Sequence, residues 1–272
     1  MSSILRRHLD LLTVLYGVLG LILFVLPYEA AGDFAWRVSP MVTMTIGSWC
    51  LGNAWAAFVA ARRGDWASAL GVTVYFAAFG LLESGVVLAF HQNLMLAHPL
   101  AWLYVLALAV NCLFTIVVVI EWFRNGAVLV RSGRRLTAAE IALTLVFVIL
   151  VAFLGLYGLL AVAGMRGLNA GIFPEVLSAF TLRSFGAFYL AVALAVIPLL
   201  LTRGLGNLLG HGFASYGAIV FITASAVAFI RHFDFANRPT QFIYIGIYVL
   251  VGSVVGFYLL RYGTGREMKE AR

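Results

Sequence analysis

The chain has 272 residues, of which 63% are hydrophobic and only 11% are charged, with a formal net charge of +7. Soluble domains carry about 25% charged residues, so this composition excludes an ordinary soluble fold and indicates that lipid solvates much of the chain. The positive charge does not indicate nucleic-acid binding, because the cations lie between apolar runs and form no patch with interleaved aromatic residues.

Long apolar segments predict an all-α, polytopic membrane protein. A helix needs about 20 apolar residues to cross about 30 Å of hydrocarbon. Eight segments meet this requirement, and their apolar residues occupy odd and even positions alike, which favours helices over membrane-spanning strands. The predicted spans are approximately 9–28, 41–60, 67–90, 99–121, 138–163, 182–202, 213–230 and 240–261.

The distribution of Arg and Lys predicts the orientation. Cations concentrate in cytoplasmic segments of membrane proteins. With eight spans, one side carries Arg6, Arg7, Arg62, Arg63, Arg124, Arg131, Arg134, Arg135, Arg203, Arg261, Arg266, Lys269 and Arg272. The other side carries only Arg37, Arg166, Arg183, Arg231 and Arg238. Both termini are therefore predicted to lie in the cytoplasm.

An internal repeat is predicted from matching residues in the two halves. The matched pairs are 45–49 "TIGSW" with 184–188 "SFGAF", Ser84 with Ser225, His91 with His232, Tyr104 with Tyr244, and Thr13 with Thr144. They predict two tandem four-helix repeats, 1–125 and 138–272, joined by a basic cytoplasmic linker, 126–137. Because each repeat has an even number of spans, the two should be related by a pseudo-two-fold axis along the membrane normal.

Glu83 is the main candidate for a functional residue. It lies within the third predicted span, and a carboxyl group inside lipid is costly unless it is paired or protonated. By depth, Ser48 and Tyr104 on neighbouring spans are predicted to hydrogen-bond it. Glu83, Ser48 and Tyr104 therefore predict a ligand- or proton-binding site. The alternative is a protonated Glu83 that only holds helices together.

Arg183 is a second candidate for ligand binding. It stands at the start of the sixth predicted span, with Glu175 before it. An Arg at a helix N-terminus can bind an anionic headgroup or substrate. The alternative is a solvated rim of ordinary ion pairs.

His91 and His232 are a weak candidate pair of haem ligands, and ordinary histidines at a wet rim are the alternative. No cofactor is favoured and no metal site is predicted. The sequence contains no recognisable set of catalytic residues, which leaves enzymatic activity undecided but not favoured. The stretch 203–212, "RGLGNLLGHG", predicts a flexible cytoplasmic loop.

The segments "SPMVTMTIGSW" and "LSAFTLRSFGAF" resemble a motif of uncharacterised bacterial multi-pass integral membrane proteins that have a duplicated four-helix unit. The first copy departs from the second at Met44, where the second has Arg183. The resemblance implies a location in the bacterial cytoplasmic (inner) membrane and no particular substrate.

Three functions remain open. The first is a non-catalytic accessory or scaffold subunit, or a lipid-binding component, of a membrane complex. The second is a small-solute or proton-linked transporter that uses Glu83, and the third is a haem-binding redox protein that uses His91 and His232. The expected partners are the lipid bilayer and other membrane protein subunits, and not nucleic acid.

Overall fold

The computed structural model of the chain describes residues 1–125, 129–161 and 171–262. Within these ranges the fold is all-helical, apart from one isolated bridge between Arg135 and Gly204. Its α-helices, in chain order, are α1 Ser3–Val25, α2 Pro27–Asp33, α3 Pro40–Arg63, α4 Trp66–Ala89, α5 Pro99–Asn125, α6 Ala138–Leu160, α7 Ala179–Thr202, α8 Leu205–Ala228 and α9 Gln241–Tyr262. Linker residues 126–128 and the cations Arg166, Arg266, Lys269 and Arg272 lie outside the described ranges.

Local sequence determines where several helices begin and end. Ser39 and Ser178 each accept a hydrogen bond from the backbone N–H three residues later, and so cap α3 and α7. Thr137 and Glu140 form a capping box at the start of α6. Gly64 adopts a left-handed conformation with φ of 69° and ends α3.

Seven of the long helices are long and apolar enough to cross a membrane, namely α1 and α4 to α9. The segment predicted at 41–60 falls on α3, which has 24 residues but is not among these seven. This helix is the most enclosed by protein, and Thr43, Thr45, Ser48 and Asn53 on it are all buried. A helix surrounded by other helices does not need the apolar surface that lipid contact demands.

Helix packing follows the same order in the two halves of the chain. In the first half α1 packs on α3 and α4 packs on α5, and in the second half α6 packs on α7 and α8 packs on α9. The halves meet where α3 packs on α8, α4 on α7, and α4 on α8. One contact differs: α1 packs against α5, whereas α6 and α9 make at most a marginal contact.

The prediction of a flexible loop at 203–212 is wrong. Residues from Leu205 onward belong to α8, and only Arg203 and Gly204 connect α7 to α8. Arg203 ends α7 in a left-handed conformation with φ of 52°, which permits this short connection. The glycines in the stretch suggested a loop, but Leu205, Leu208 and Leu209 follow the helical spacing of an apolar face.

The linker packs against this short connection. The backbone N–H of Leu136 donates to Arg203 O, and that of Leu205 donates to Arg134 O. The fully buried Asn207 side chain accepts from Ser132 N at 2.7 Å and donates to the carbonyls of Ala67 and Val130. We call the end of the bundle that carries these contacts the linker end, and the opposite end the far end.

Candidate functional site

Glu83 lies on α4 and is 2% exposed, so its carboxyl group is enclosed by protein. The Tyr104 hydroxyl on α5 donates to Glu83 Oε1 at 2.5 Å. The Ser184 hydroxyl on α7 is close enough to interact with the carboxyl group, although Glu83 Oε2 has no hydrogen-bond partner among the described residues. The structure thus brings Glu83 and Tyr104 together, as their depths in the sequence suggested.

Ser48 does not belong to the Glu83 pair. Its hydroxyl donates to Met44 O within α3 and to Phe221 O on α8, the latter at 3.0 Å. The predicted hydrogen bond from Ser48 to Glu83 is therefore replaced by one to α8, because Ser48 lies on the face of α3 that packs between the two halves. Equal depth in the membrane does not determine the direction in which a helical side chain points.

The surroundings of Glu83 and Tyr104 are densely packed with aromatic rings. The ring of Tyr104 lies 5.4 Å from that of Trp36 and 5.6 Å from that of Phe34, centroid to centroid. Trp36 in turn stacks on Phe180 at 4.1 Å. Glu83 lines neither of the two cavities described below. The geometry suits a buried polar pair more than an open binding pocket.

Arg183 caps a helix. Its guanidinium group donates to Gly158 O at 2.8 Å and to Ala161 O at 2.9 Å, both at the C-terminal end of α6. The final carbonyl groups of a helix have no partners within the helix and carry the negative end of its dipole, so a cation stabilises them. The structure gives Arg183 this capping role.

His91 and His232 have separate partners at the far end. His91 Nδ1 lies 2.9 Å from Leu88 O of its own segment, whereas His232 Nδ1 lies 2.8 Å from Glu175 Oε1. The other carboxylate oxygen of Glu175 accepts from the Ser39 hydroxyl at the start of α3. Glu175 therefore joins the two halves, and the two histidines are hydrogen-bonded to different residues. In the described ranges no group of three or more His, Cys, Asp or Glu is arranged to hold a metal ion.

A cavity of about 180 Å³ lies in the second half, lined by residues of α6, α7, α8 and α9. Most of its lining is aliphatic or aromatic. The lining includes Leu143 and Val146 on α6 and Leu250 on α9, which are 37%, 49% and 52% exposed. These exposed residues show that the cavity reaches the protein surface at the gap between α6 and α9.

A few polar groups lie on the inner wall of this cavity. The Tyr189 and Tyr248 hydroxyls hydrogen-bond to each other at 2.5 Å. His211 on α8 is 7% exposed, and neither ring nitrogen has a hydrogen-bond partner among the described residues. His211 and Ser215 also line a second cavity of about 40 Å³ between the halves, together with Asn53. An apolar pocket with a few converging polar groups is the usual form of a small-molecule site.

The sequence interpretation missed His211 because it placed this residue in a loop. The signal was present: Leu205, Leu208 and Leu209 continue the apolar spacing of α8 toward the linker end, and His211 follows within the same helix. An ionisable residue inside a membrane helix is a candidate for function, and recognition of the helix would have identified it.

Taken together, the fold and this cavity define a multi-pass, all-helical integral membrane protein with a largely apolar pocket in its second half. Comparison of the chain with protein-family models, curated proteins and solved structures found no match.

Proposed function

We propose that this chain is a non-catalytic, lipid-binding component of the bacterial cytoplasmic membrane, which acts as an accessory subunit of a membrane complex. The apolar chain of a lipid would occupy the cavity between α6 and α9. The observation that carries this proposal is the cavity itself, which opens at the surface between two helices that are each apolar enough to span a membrane.

The cavity has the size and polarity required for part of a lipid chain. An engineered apolar cavity of roughly 150 Å³ binds benzene, so 180 Å³ accommodates a comparable or slightly larger apolar group. The charged residue in its lining, Glu140, is paired with Arg134 at 2.6 Å near the linker end. An opening between apolar helices would face acyl chains, which favours a lipid over a water-soluble solute.

The membrane arrangement that we propose has eight spans, with α3 as the eighth. At 1.5 Å per residue, the 24 residues of α3 extend about 36 Å, which is enough to cross the hydrocarbon. Its packing against α1, an apolar candidate span, supports this arrangement. The excess of Arg and Lys on one side supports cytoplasmic termini.

Two observations support the proposed tandem repeat of 1–125 and 138–272. The first is that three elements of the second half follow their counterparts in the first half at one constant spacing along the chain. The first residues of these pairs are Pro40 and Ala179 for α3 and α7, Trp66 and Leu205 for α4 and α8, and His91 and Ile230 for the two 3-10 turns. With this spacing Glu83 is matched by Ile222, and His91 by Ile230 and not by His232.

The second observation is a shared pattern of close glycine contacts. A Cβ on Gly20 would lie 2.7 Å from Leu51 N, and one on Gly155 would lie 2.8 Å from Leu190 N. Likewise, a Cβ on Gly47 would lie 2.6 Å from Phe24 N, and one on Gly186 would lie 2.6 Å from Leu159 N. These contacts align α1 with α6 so that Gly20 corresponds to Gly155. In this alignment Thr13 corresponds to Val148, and the predicted match of Thr13 with Thr144 is therefore one helical turn out of register.

A pair of tryptophan substitutions on α6 tests lipid binding. Val146→Trp places a large ring at the cavity opening, whereas Ile149→Trp places the same ring on an exposed position of α6 outside the lining. Protein would be extracted directly from the membrane into polymer-bounded lipid discs, and bound lipid would be quantified by mass spectrometry after exchange into detergent. We expect Val146→Trp to lose the retained lipid and Ile149→Trp to keep it.

Equal lipid retention by the two variants would overturn the proposal. The same preparations identify any protein that co-purifies in stoichiometric amount, which tests the subunit role separately. A lone chain that retains lipid would keep lipid binding and remove the accessory role.

A second candidate function, proton-linked transport, is favoured by the buried carboxyl group of Glu83. One of its oxygens accepts a hydrogen bond from Tyr104, and the other has no hydrogen-bond partner among the described residues. A proton-binding role predicts that Glu83→Gln abolishes acid-driven proton uptake into proteoliposomes. Tyr104→Phe, which keeps the carboxyl group, should reduce this uptake without abolishing it. Equal uptake by wild type and Glu83→Gln would contradict this function.

A further inference from the structure

His211 is a buried side chain of the second half whose hydrogen-bonding groups are left unpaired among the described residues. Both of its ring nitrogens are buried without a hydrogen-bond partner in the part of the chain that the structure describes. A buried donor or acceptor without a partner is destabilising, and native proteins rarely retain one without a functional reason or a bound molecule. A neutral imidazole offers one N–H donor and one acceptor nitrogen. His211 can therefore both donate to and accept from a bound molecule.

The fold makes specific room for this imidazole. A Cβ on Gly71 of α4 would lie 2.5 Å from His211 Nδ1 and 2.9 Å from its Cγ, so the ring packs directly against a glycine. Any larger residue at position 71 would displace the ring. Since the close approach of α4 depends on this glycine, the position of His211 is part of the packing between the two halves.

The location of His211 identifies the kind of group that it can bind. It lines both the 180 Å³ apolar cavity and the 40 Å³ cavity that contains Asn53, whose Nδ2 also lacks a described partner. Neither lining contains Arg or Lys, and the acidic residue Glu140 already pairs with Arg134. An anionic headgroup would have no counter-ion there, so the bound group must be uncharged.

We propose that His211 hydrogen-bonds an uncharged carbonyl or hydroxyl oxygen of a lipid whose apolar tail occupies the larger of the two cavities. This inference rests on the proposed lipid-binding function and specifies the chemistry of the lipid head. Lipid quinones and long-chain alcohols both carry such an oxygen. Asn53, which also lines the smaller cavity, offers Nδ2 as a donor to a second oxygen or to a water molecule.

Three probes with the same tail test this proposal: a decyl-substituted benzoquinone, decanol and decylbenzene. Each would be titrated against purified protein in lipid discs, with displacement of the co-purified lipid followed by mass spectrometry. We expect wild type to prefer at least one oxygen-bearing probe over decylbenzene by about tenfold, the contribution of one buried hydrogen bond. Preference for the quinone would assign ring carbonyl oxygens, and preference for decanol would assign a hydroxyl group.

Two variants connect this preference to His211. We expect His211→Leu to bind decylbenzene as well as wild type does and to lose the preference for the oxygen-bearing probe. His211→Gln, which keeps a donor and an acceptor, should retain part of it. If His211→Leu does not fold, Gly71→Ala is the substitute, because it displaces the imidazole without removing it and should reduce the same preference.

The outcomes separate this inference from the proposed function. Equal affinity of wild type for all three probes, or an undiminished preference in His211→Leu, would overturn the role of His211 while leaving lipid binding intact. Failure of every probe to displace lipid, with no difference between wild type and Val146→Trp, would remove the lipid-binding function itself.

Discussion

The two halves of this protein share an order of helix packing, but their outer helices pack closely together in the first half only. In the first half α1 reaches α5, and Leu5, Leu9 and Leu12 on α1 are fully buried. In the repeat that we propose, which aligns Gly20 with Gly155, these leucines correspond to three residues of α6 that all line the cavity, Glu140, Thr144 and Phe147. The half with the apolar leucine stripe has its outer helices in contact, whereas the half with these three residues has a gap between α6 and α9. The cavity thus lies in the half whose outer helices, α6 and α9, stay apart.

The buried polar groups of the two halves also differ in whether they border a cavity. Glu83 in the first half is enclosed and hydrogen-bonded to Tyr104, whereas Ile222, which the proposed repeat aligns with Glu83, lines the cavity of the second half. His211, by contrast, lies beside open volume. Of Glu83 and His211, only His211 borders either of the two cavities described.

The largest expected effect tests whether the two halves are built on equivalent glycine contacts. Gly47→Ala and Gly186→Ala each place a Cβ within 2.6 Å of a backbone nitrogen on the adjacent helix. Since backbone cannot yield as a flexible side chain can, each should lower the free energy of unfolding by about 3 kcal/mol. Unfolding would be measured by denaturant titration in mixed micelles.

Glycines in open space provide the control. A Cβ on Gly85 or Gly246 meets nothing within 4 Å, and alanine is the better helix former. Gly85→Ala and Gly246→Ala should therefore leave stability unchanged or slightly raised. A loss at Gly47 with none at Gly186 would show that the halves do not share this contact.

A smaller effect tests the difference in closure. Leu12→Trp forces a larger side chain into a fully buried site and should cost about 2 kcal/mol. Phe147→Trp, at the matched position, enlarges a side chain that borders the cavity, and its melting temperature should stay near that of wild type. Equal losses in the two variants would mean that the space beside α6 is not available to side chains.

The smallest effect concerns a position at which the two halves of the proposed repeat differ in chemistry. Arg183 caps the end of α6, and its counterpart in the first half is Met44. Arg183→Met leaves two carbonyl groups uncapped and should lower stability by about 1 kcal/mol. Hydrogen exchange should increase at the last turn of α6, while the end of α1 is unaffected. Uniformly faster exchange throughout the described helices would argue against a local capping role.

Much of the helical pattern could be predicted from the sequence, since apolar length and start signals are local properties. Segments such as 138–163 and 182–202 agree with α6 and α7 to within a few residues. The start of α8 was missed because glycines at 204, 206, 210 and 212 suggested a loop, although none of them prevents a helix. The contact of Tyr104 with Glu83 was predicted from their similar depth in the membrane. The predicted contact of Ser48 with Glu83 does not form, because depth in the membrane does not determine how a helix is rotated about its axis.

The sequence by itself determined that this is an all-helical, multi-pass membrane protein, because hydropathy over about 20 residues reports directly on the thickness of the bilayer. Only the tertiary structure decided the rest. It placed Arg183 at the end of a helix, gave His91 and His232 different hydrogen-bond partners, and placed His211 beside a cavity. These outcomes depend on the spacing between helices that are far apart in the sequence. That spacing is set by packing at a few glycines and bulky residues, which no single segment of the sequence reveals.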